Sequence, residues 1–330
     1  MILGAAARVR RIFSSAGLFP ASQLPRPVVS IGNLVMGGAG KTPHVIHLAR
    51  WLAGQGRRVG ILSRGYGRKT RGVRWVSDGE GPIATAAEAG DEPVLIARSL
   101  PGIPVAVGES RAAAGREVLS RRRVDVFLLD DGFQHLSLRR DVDLLLVECG
   151  QGLGNRWTAP LGPLREPPSH ARFADALVIT KCPDVESGAR TARTVPIPSV
   201  RPRAFSRLSP GGIVGRDGLP TKDVPAGSAV FAFSGLARNA QFRDTLEAAG
   251  FRVKGFLPFP DLHAYGRVDL DRIAREAGGL PAIKTEKDLA RLPGDVPFSV
   301  AALRVEVEYL AGWEEVSKLI LDRLDGRGHA

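Results

Sequence analysis

The run Gly37-Gly38-Ala39-Gly40-Lys41-Thr42 limits the fold of this 330-residue chain more than any other feature. An apolar stretch from Val28 to Ile31 precedes it, and a helical pattern from about Lys41 to Ala53 follows. Glycines let the backbone turn with its amides facing inward, which makes a nest for phosphate oxygens at a helix N-terminus. Gly37, Gly38, Ala39 and Gly40 would line that nest, Lys41 would reach the β- and γ-phosphates, and the Thr42 hydroxyl would ligate Mg²⁺. The strict pattern has glycine at position 35, where this chain has Val35. The strand–loop–helix setting is retained, so the physics of the nest is preserved.

Such a loop needs a second acid for its metal. Val124 to Leu129 is an apolar strand pattern that ends in Asp130-Asp131-Gly132. Carboxylates at the C-terminal end of a parallel strand sit at the mouth where such sheets bind ligands. One of the pair can hold Mg²⁺, directly or through water, and the other can orient the metal shell or a nucleophile. A guanine-specific protein would carry N/T-K-x-D after a later strand. Here Thr180-Lys181 is followed by Cys182 and Pro183, so ATP is the expected nucleotide.

Short apolar runs alternate with helical stretches from Pro27 onward, which predicts a mainly parallel sheet with helices on both faces. Residues 183–227 are rich in Pro, Ser, Arg and Gly and have weak periodicity, so a junction is expected there. A second alternation follows it, ending in an amphipathic helix from Trp313 to Leu324. The expectation is an α/β fold: a P-loop NTPase-like α/β/α core over 21–205 and a second, smaller α/β/α domain over 206–330.

The chain has 46 Lys and Arg against 34 Asp and Glu, a formal net charge of +12 that favours anionic partners. The arginines are spread along the sequence, with no zinc-finger spacing and no RNP-like aromatic strand, so nucleic acid is not expected. Two cysteines, Cys149 and Cys182, lie outside any CxxC or Cys/His cluster, which argues against a disulfide framework or a structural zinc. No segment reaches the roughly 18 apolar residues of a spanning helix. Over residues 1–20, however, Ile2, Ala5, Ala6, Val9, Ile12, Phe13 and Ala16 recur at helical spacing, with Arg8 and Arg11 opposite. A basic amphipathic helix of this kind can lie on an anionic membrane surface, or dock on the domain as an ordinary helix.

Several further motifs occur in a fixed order. Ser30-Ile31-Gly32-Asn33 leads into the glycine loop; Ser63-Arg64-Gly65-Tyr66-Gly67-Arg68 follows the second strand; Gly90-Asp91-Glu92-Pro93 and Val107-Gly108 with Arg111 come next. Asp130-Asp131-Gly132-Phe133-Gln134-His135, Gly162-Pro163-Leu164-Arg165-Glu166-Pro167 and Ile179-Thr180-Lys181 complete the first half. Phe233-Ser234-Gly235, Phe259-Pro260-Asp261 and Thr285-Glu286-Lys287-Asp288 follow in the second. Taken together, from Pro27 to Asp288, they resemble the lipid A tetraacyldisaccharide 4′-kinase family.

That resemblance implies transfer of the γ-phosphoryl group of ATP to a sugar hydroxyl of tetraacyldisaccharide 1-phosphate, across a cleft between two α/β/α domains. It implies a peripheral protein on the cytoplasmic face of the inner membrane, with a glycolipid substrate and no obligate protein partner. Asp91 matches the family's proposed general base, and Glu92, Thr42, Asp130 and Asp131 match its metal region. On its residues alone, Gly-Asp-Glu-Pro reads as a helix start with Asp91 at the N-cap. The family pattern Phe-Pro-Asp-His is altered here, because Leu262 follows Asp261 and His263 comes one place later. His263 is therefore expected to support Asp91. Arg64, Arg68, Arg111 and Arg165 are candidates for the lipid 1-phosphate or the ATP phosphates, a pairing that guanidinium geometry suits.

The alternative is a membrane-associated switch ATPase of the partitioning type, which also has a deviant glycine loop. Such proteins usually carry lysine immediately before the Gly-Gly pair, where this chain has Met36.

Overall fold

The computed structural model describes residues 21–235, 239–260, 263–289, 291–293 and 295–327. The basic helix expected over 1–20 lies outside them, as do Asp261 and Leu262.

The strands are β1 (Val28–Asn33), β2 (Val59–Ser63), β3 (Arg74–Ser77), β4 (Val105–Val107), β5 (Val126–Asp130), β6 (Val142–Glu148), β7 (Ala176–Thr180), β8 (Arg203–Val214), β9 (Ala229–Ser234), β10 (Arg252–Pro258), β11 (Ala282–Thr285) and β12 (Val300–Ala311). The helices are α1 (Lys41–Gly54), α2 (Ala86–Ala89), α3 (Asp91–Ser99), α4 (Arg111–Arg121), α5 (Val185–Thr194), α6 (Asn239–Ala248), α7 (Arg267–Ala277), α8 (Glu286–Leu289) and α9 (Trp313–Asp325).

All twelve strands form one sheet, ordered β10-β9-β11-β12-β8-β7-β6-β1-β5-β2-β4-β3. The pairings are parallel except at the β3 edge and between β8 and β12. Strand β1 is central, between β5 and β6, and every residue in it is buried. Helices cover both faces, which is why the buried strands read as near-continuous apolar runs. In β5, Val126 and Leu128 enter one core while Phe127 and Leu129 enter the core on the opposite face. This is the two-residue alternation of a strand. Helix α1 presents Val45, Leu48, Ala49 and Leu52 to the first of these cores at helical spacing.

A second pair of cores forms around β9 to β12. Phe231 and Phe233 meet α7 on one face, and Val230 and Ala232 meet Phe242 and Leu246 of α6 on the other. The junction expected over 183–227 differs from the structure, because α5 and the twelve-residue β8 lie inside it. Strand β8 is half-exposed along much of its length, so its sequence lacks the strong alternation that would have marked it. The division expected at 205/206 falls within β8. Helix α9, expected with the second domain, sends Val316, Ile320 and Leu324 into the core that holds α1.

Candidate active site

The glycine loop has the strand–loop–helix setting that its sequence predicts, between β1 and α1. Gly40 adopts φ 75° and is the N-cap of α1, which begins at Lys41. Gly37 has φ 120°, also in the region that favours glycine. A Cβ on Gly37 or Gly38 would meet nothing within 4 Å, so the backbone there is open to close approach by a ligand. The loop is fixed from three sides. Met36 N donates to Pro163 O at 2.7 Å, and Arg165 N donates to Leu34 O at 2.7 Å, so Gly162–Glu166 runs alongside it. Thr180, at the end of β7, donates its hydroxyl to Ala39 O at 3.0 Å. Buried His44 lies 2.7 Å from Gly40 O through Nδ1, while its Nε2 lies 3.0 Å from Ser206 Oγ.

The two acids of the β5 end have opposite environments. Asp130 is buried; Ser63 Oγ donates to its Oδ2 at 2.9 Å, and its Oδ1 has no hydrogen-bond partner. Burial, with the Glu92 and Asp131 carboxylates nearby, pushes Asp130 up to about 7 against the pull of Ser63 and Lys41. Asp131 has left-handed backbone, φ 51°, which is uncommon for a residue with a side chain. Arg165 Nη1 donates to its Oδ2 at 2.7 Å, and Lys41 Nζ lies 3.6 Å from its Oδ1. Burial raises the Asp131 carboxyl, but these two cations outweigh burial and hold it below the usual carboxylate range. Lys41 Nζ also donates to Asn33 Oδ1 at 3.3 Å. The loop lysine is thus held between the end of β1 and the acid pair.

Asp91 is not the N-cap that its local sequence suggests. Gly90 occupies that position, and Asp91 and Glu92 form the first turn of α3. Their side chains reach the second half of the chain: Arg291 Nε donates to Asp91 Oδ2, and Lys287 Nζ donates to Glu92 Oε1 at 3.0 Å. No hydrogen bond or ion pair joins His263 to Asp91. The Nε2 of His263 lies 3.0 Å from Asp269 Oδ2, in the first turn of α7, and its ring stacks on Phe259. The expectation that His263 supports Asp91 differs from this geometry because Asp269, six residues along, captures the imidazole.

Two of the four candidate arginines reach the acids. Arg165 binds Asp131 directly. Arg111 is buried; burial and the nearby Arg64 lower its guanidinium to about 10, against the attraction of Asp130 and Asp131. Arg64, just beyond β2 and exposed, is near enough to Arg111 to act on its charge. Arg68 is used otherwise: its Nη2 donates to Glu109 Oε1 at 2.6 Å and to Gly72 O at 2.8 Å, tying the β2–β3 loop. Among the described residues no three His, Cys, Asp or Glu side chains converge into a metal cage. Ser63 and Thr180 stood in the sequence only as members of motifs, with no role of their own, and Arg291 belonged to none. The first two end β2 and β7 beside the loop, and that position is the signal by which they could have been found.

Comparisons with known proteins identify the family. The LpxK family, tetraacyldisaccharide-1-P 4′-kinase, matches residues 1–325. The tetraacyldisaccharide 4′-kinase of Anaeromyxobacter dehalogenans (strain 2CP-C) is 42% identical over 325 residues, covering 93% of this chain and 84% of that protein. The protein of the same name from Syntrophus aciditrophicus is 39% identical over 322 residues, covering 91% and 84%. The crystal structure of LpxK from Aquifex aeolicus in complex with ATP superposes with a TM-score of 0.82 at 34% identity, covering 98% of this chain and 96% of that one. With its loop lysine, acid pair and flanking arginine assembled at one sheet mouth, and with that match running nearly end to end, the chain belongs to the tetraacyldisaccharide-1-P 4′-kinase family.

Proposed function

We propose that this protein transfers the γ-phosphoryl group of ATP to the 4′-hydroxyl of tetraacyldisaccharide 1-phosphate. The observation that carries the reading is the contact of Lys41 with Asp131 and of Asp131 with Arg165 at the mouth of the phosphate loop. Phosphoryl transfer asks a protein mainly for positioning and for neutralisation of spread charge. Lys41 and the loop amides hold the phosphates, and Arg64, Arg111 and Arg165 add positive charge around them or around the lipid 1-phosphate. Asp91 accepts the proton of the attacking hydroxyl as the new O–P bond forms and the bond from Pγ to the β,γ-bridging oxygen breaks. ADP leaves with that electron pair.

A magnesium ion suits the residues present. The Oδ1 of Asp130 is buried with no partner, a carboxylate oxygen that a neighbouring cation would stabilise. Thr42 stands in the first turn of α1, and Glu92 lies close enough to act on Asp130. Mg²⁺ keeps several waters and takes only one or two protein ligands beside phosphates, so a preformed three-acid cage is not needed. When bound, it would draw charge from the β- and γ-phosphates. Asp130 and Thr42 would hold it, with Glu92 and Asp131 orienting its waters.

The substrate is a lipid, and no described helix is long and apolar enough to cross a membrane. We place the protein peripherally on an anionic, cytoplasmic membrane face, an assignment supported by its net charge of +12. The division of labour follows the two sets of cores, with the nucleotide at the β1–β7 half and the β9–β12 half completing the cleft. The deciding assay is label transfer from γ-labelled ATP to tetraacyldisaccharide 1-phosphate in detergent micelles, with Lys41→Ala and Asp91→Ala in parallel. Labelled lipid is expected from the wild type and almost none from either variant. ATP turnover without labelled lipid would sink the assignment in favour of a nucleotide switch.

A further inference from the structure

Arg291 belongs to none of the sequence motifs that pointed to the site, yet it makes the contact that reaches Asp91. Its side chain is 8% exposed, and its three nitrogens have distinct surroundings. Nε donates to Asp91 Oδ2, Nη1 donates to Asp288 Oδ1 at 3.3 Å, and Nη2 is buried with no hydrogen-bond partner. Asp288 is fully buried and is itself fixed. Its Oδ2 accepts from Gly235 N at 3.1 Å and from Thr285 Oγ1 at 2.9 Å. The guanidinium is therefore seated from behind by an anchored carboxylate and meets, in front, an acid 200 residues away in sequence.

An exposed pair of this kind would contribute little, since solvent screens it and two long side chains must be ordered. Here the arginine is buried and already ordered by Asp288, so its grip on Asp91 costs little further side-chain entropy. A carboxylate held by one oxygen presents the other in a fixed direction. Geometry of this kind matters, because a displacement of about 1 Å can lower a rate by about 100-fold. Lys287 and Glu92 make a parallel tie between the same two segments at 3.0 Å.

We infer that Arg291 is a positioning residue for phosphoryl transfer, holding Asp91 by Oδ2 so that Oδ1 faces the attacking hydroxyl. The inference rests on the reading of Asp91 as the general base. The proton passes from the hydroxyl to Asp91 Oδ1, and Arg291 neither gains nor loses one. Because Arg291 is carried by the β9–β12 half and Asp91 by the other, the base is set only while the two halves are in contact.

The test is steady-state label transfer in the same micelle assay with full-length protein: wild type, Arg291→Ala, Arg291→Lys, Asp91→Asn and the Asp91→Asn/Arg291→Ala double variant. Arg291→Ala is expected to lower kcat by at least about 10-fold while the KM for ATP and for lipid stays within about twofold. Arg291→Lys, which keeps the charge, should recover part of that loss. In the Asp91→Asn background Arg291→Ala should cost nothing more, because the two residues act as a unit. Should Arg291→Ala melt early, Arg291→Gln carries the same comparison. A faster Arg291→Ala enzyme would mean that the pair restrains Asp91, and a loss confined to KM would make Arg291 a ligand contact. Losses that multiply in the double variant would also overturn the inference. An Asp91→Asn enzyme with wild-type kcat would instead defeat the base reading itself, an outcome distinct from a dead Asp91→Asn beside an active Arg291→Ala.

Discussion

Arg165 Nη1 lies 2.7 Å from Asp131 Oδ2, and the backbone amide of the same arginine donates to Leu34 at the entrance to the phosphate loop. One residue thus braces the loop through its main chain and the acid pair through its side chain. Arg165→Met keeps the first contact and removes the second. Asp131 then loses one of the two cations that hold its carboxyl down, and the phosphates lose a positive neighbour. A hydrogen bond to a charged group contributes about 1.5–3 kcal/mol, so kcat/KM should fall by about 10- to 100-fold. An unchanged kcat/KM in the micelle assay would exclude Arg165 from the site.

Gly132 follows the acid pair because nothing larger fits. A Cβ there would stand 2.6 Å from Leu129 Cδ2 and 2.6 Å from Ser30 Oγ, both in the packed interior. Gly132→Ala should lower the unfolding free energy by about 1–3 kcal/mol, the usual cost of overpacking. Urea titration reads this directly, and a shift in midpoint below what about 0.5 kcal/mol produces would contradict it.

His44 should make the fold sensitive to acid. Burial lowers its imidazole from 6.5 to about 4, against the pull of the Gly40 carbonyl. A depressed folded value means that the neutral ring is the stable one in the folded protein. Its contribution is complete above pH 6.5 and is lost as pH falls toward 4, by about 3 kcal/mol. His44→Asn, which retains a donor near Gly40 O, should show a shallower fall in unfolding free energy between pH 7 and pH 4. Parallel curves for the two proteins would show that His44 does not titrate in this way.

Lys284 is fully buried at the end of β11, its Nζ 3.9 Å from the Tyr265 ring centroid and without a hydrogen-bond partner. Burial lowers it from 10.5 to about 7, so its charge opposes folding increasingly as pH falls from 10.5 toward 7. Lys284→Met is close in volume and suits an aromatic surround. The variant should be more stable at pH 7 by about 1–4 kcal/mol, as when buried charge gives way to apolar packing. Its advantage should shrink toward pH 10. A less stable variant at pH 7 would mean that the aromatic rings compensate the charge fully.

Much of the site's nucleotide end was legible because its parts are local. Gly37 to Thr42 needs only its own glycines and the helix that follows, and Asp130 and Asp131 end an apolar strand whose neighbours are strands of the same kind. The acceptor end was less legible. Asp91 looks like a helix cap until Arg291 is brought to it, and His263 looks free until Asp269 takes it. Both partners are set by tertiary contacts that no short window of sequence contains. Strand β8 was missed for a different reason: a ribbon half-open to solvent needs little alternation, so its Pro, Ser and Gly content read as a junction.

The pairing of β8 with β12 runs antiparallel from Phe205 opposite Ala311 to Val214 opposite Ala302. The chain therefore leaves the loop-bearing half along one strand and comes back along its neighbour, and α9 then closes the core from which it set out. In topological terms, the residues between β8 and β12 are an insertion tethered at both ends by one hydrogen-bonded ribbon. A tether of this kind resists separation and bending in the plane of the sheet but yields to torsion about its long axis. Cutting an exposed loop of the insertion would leave the two halves joined.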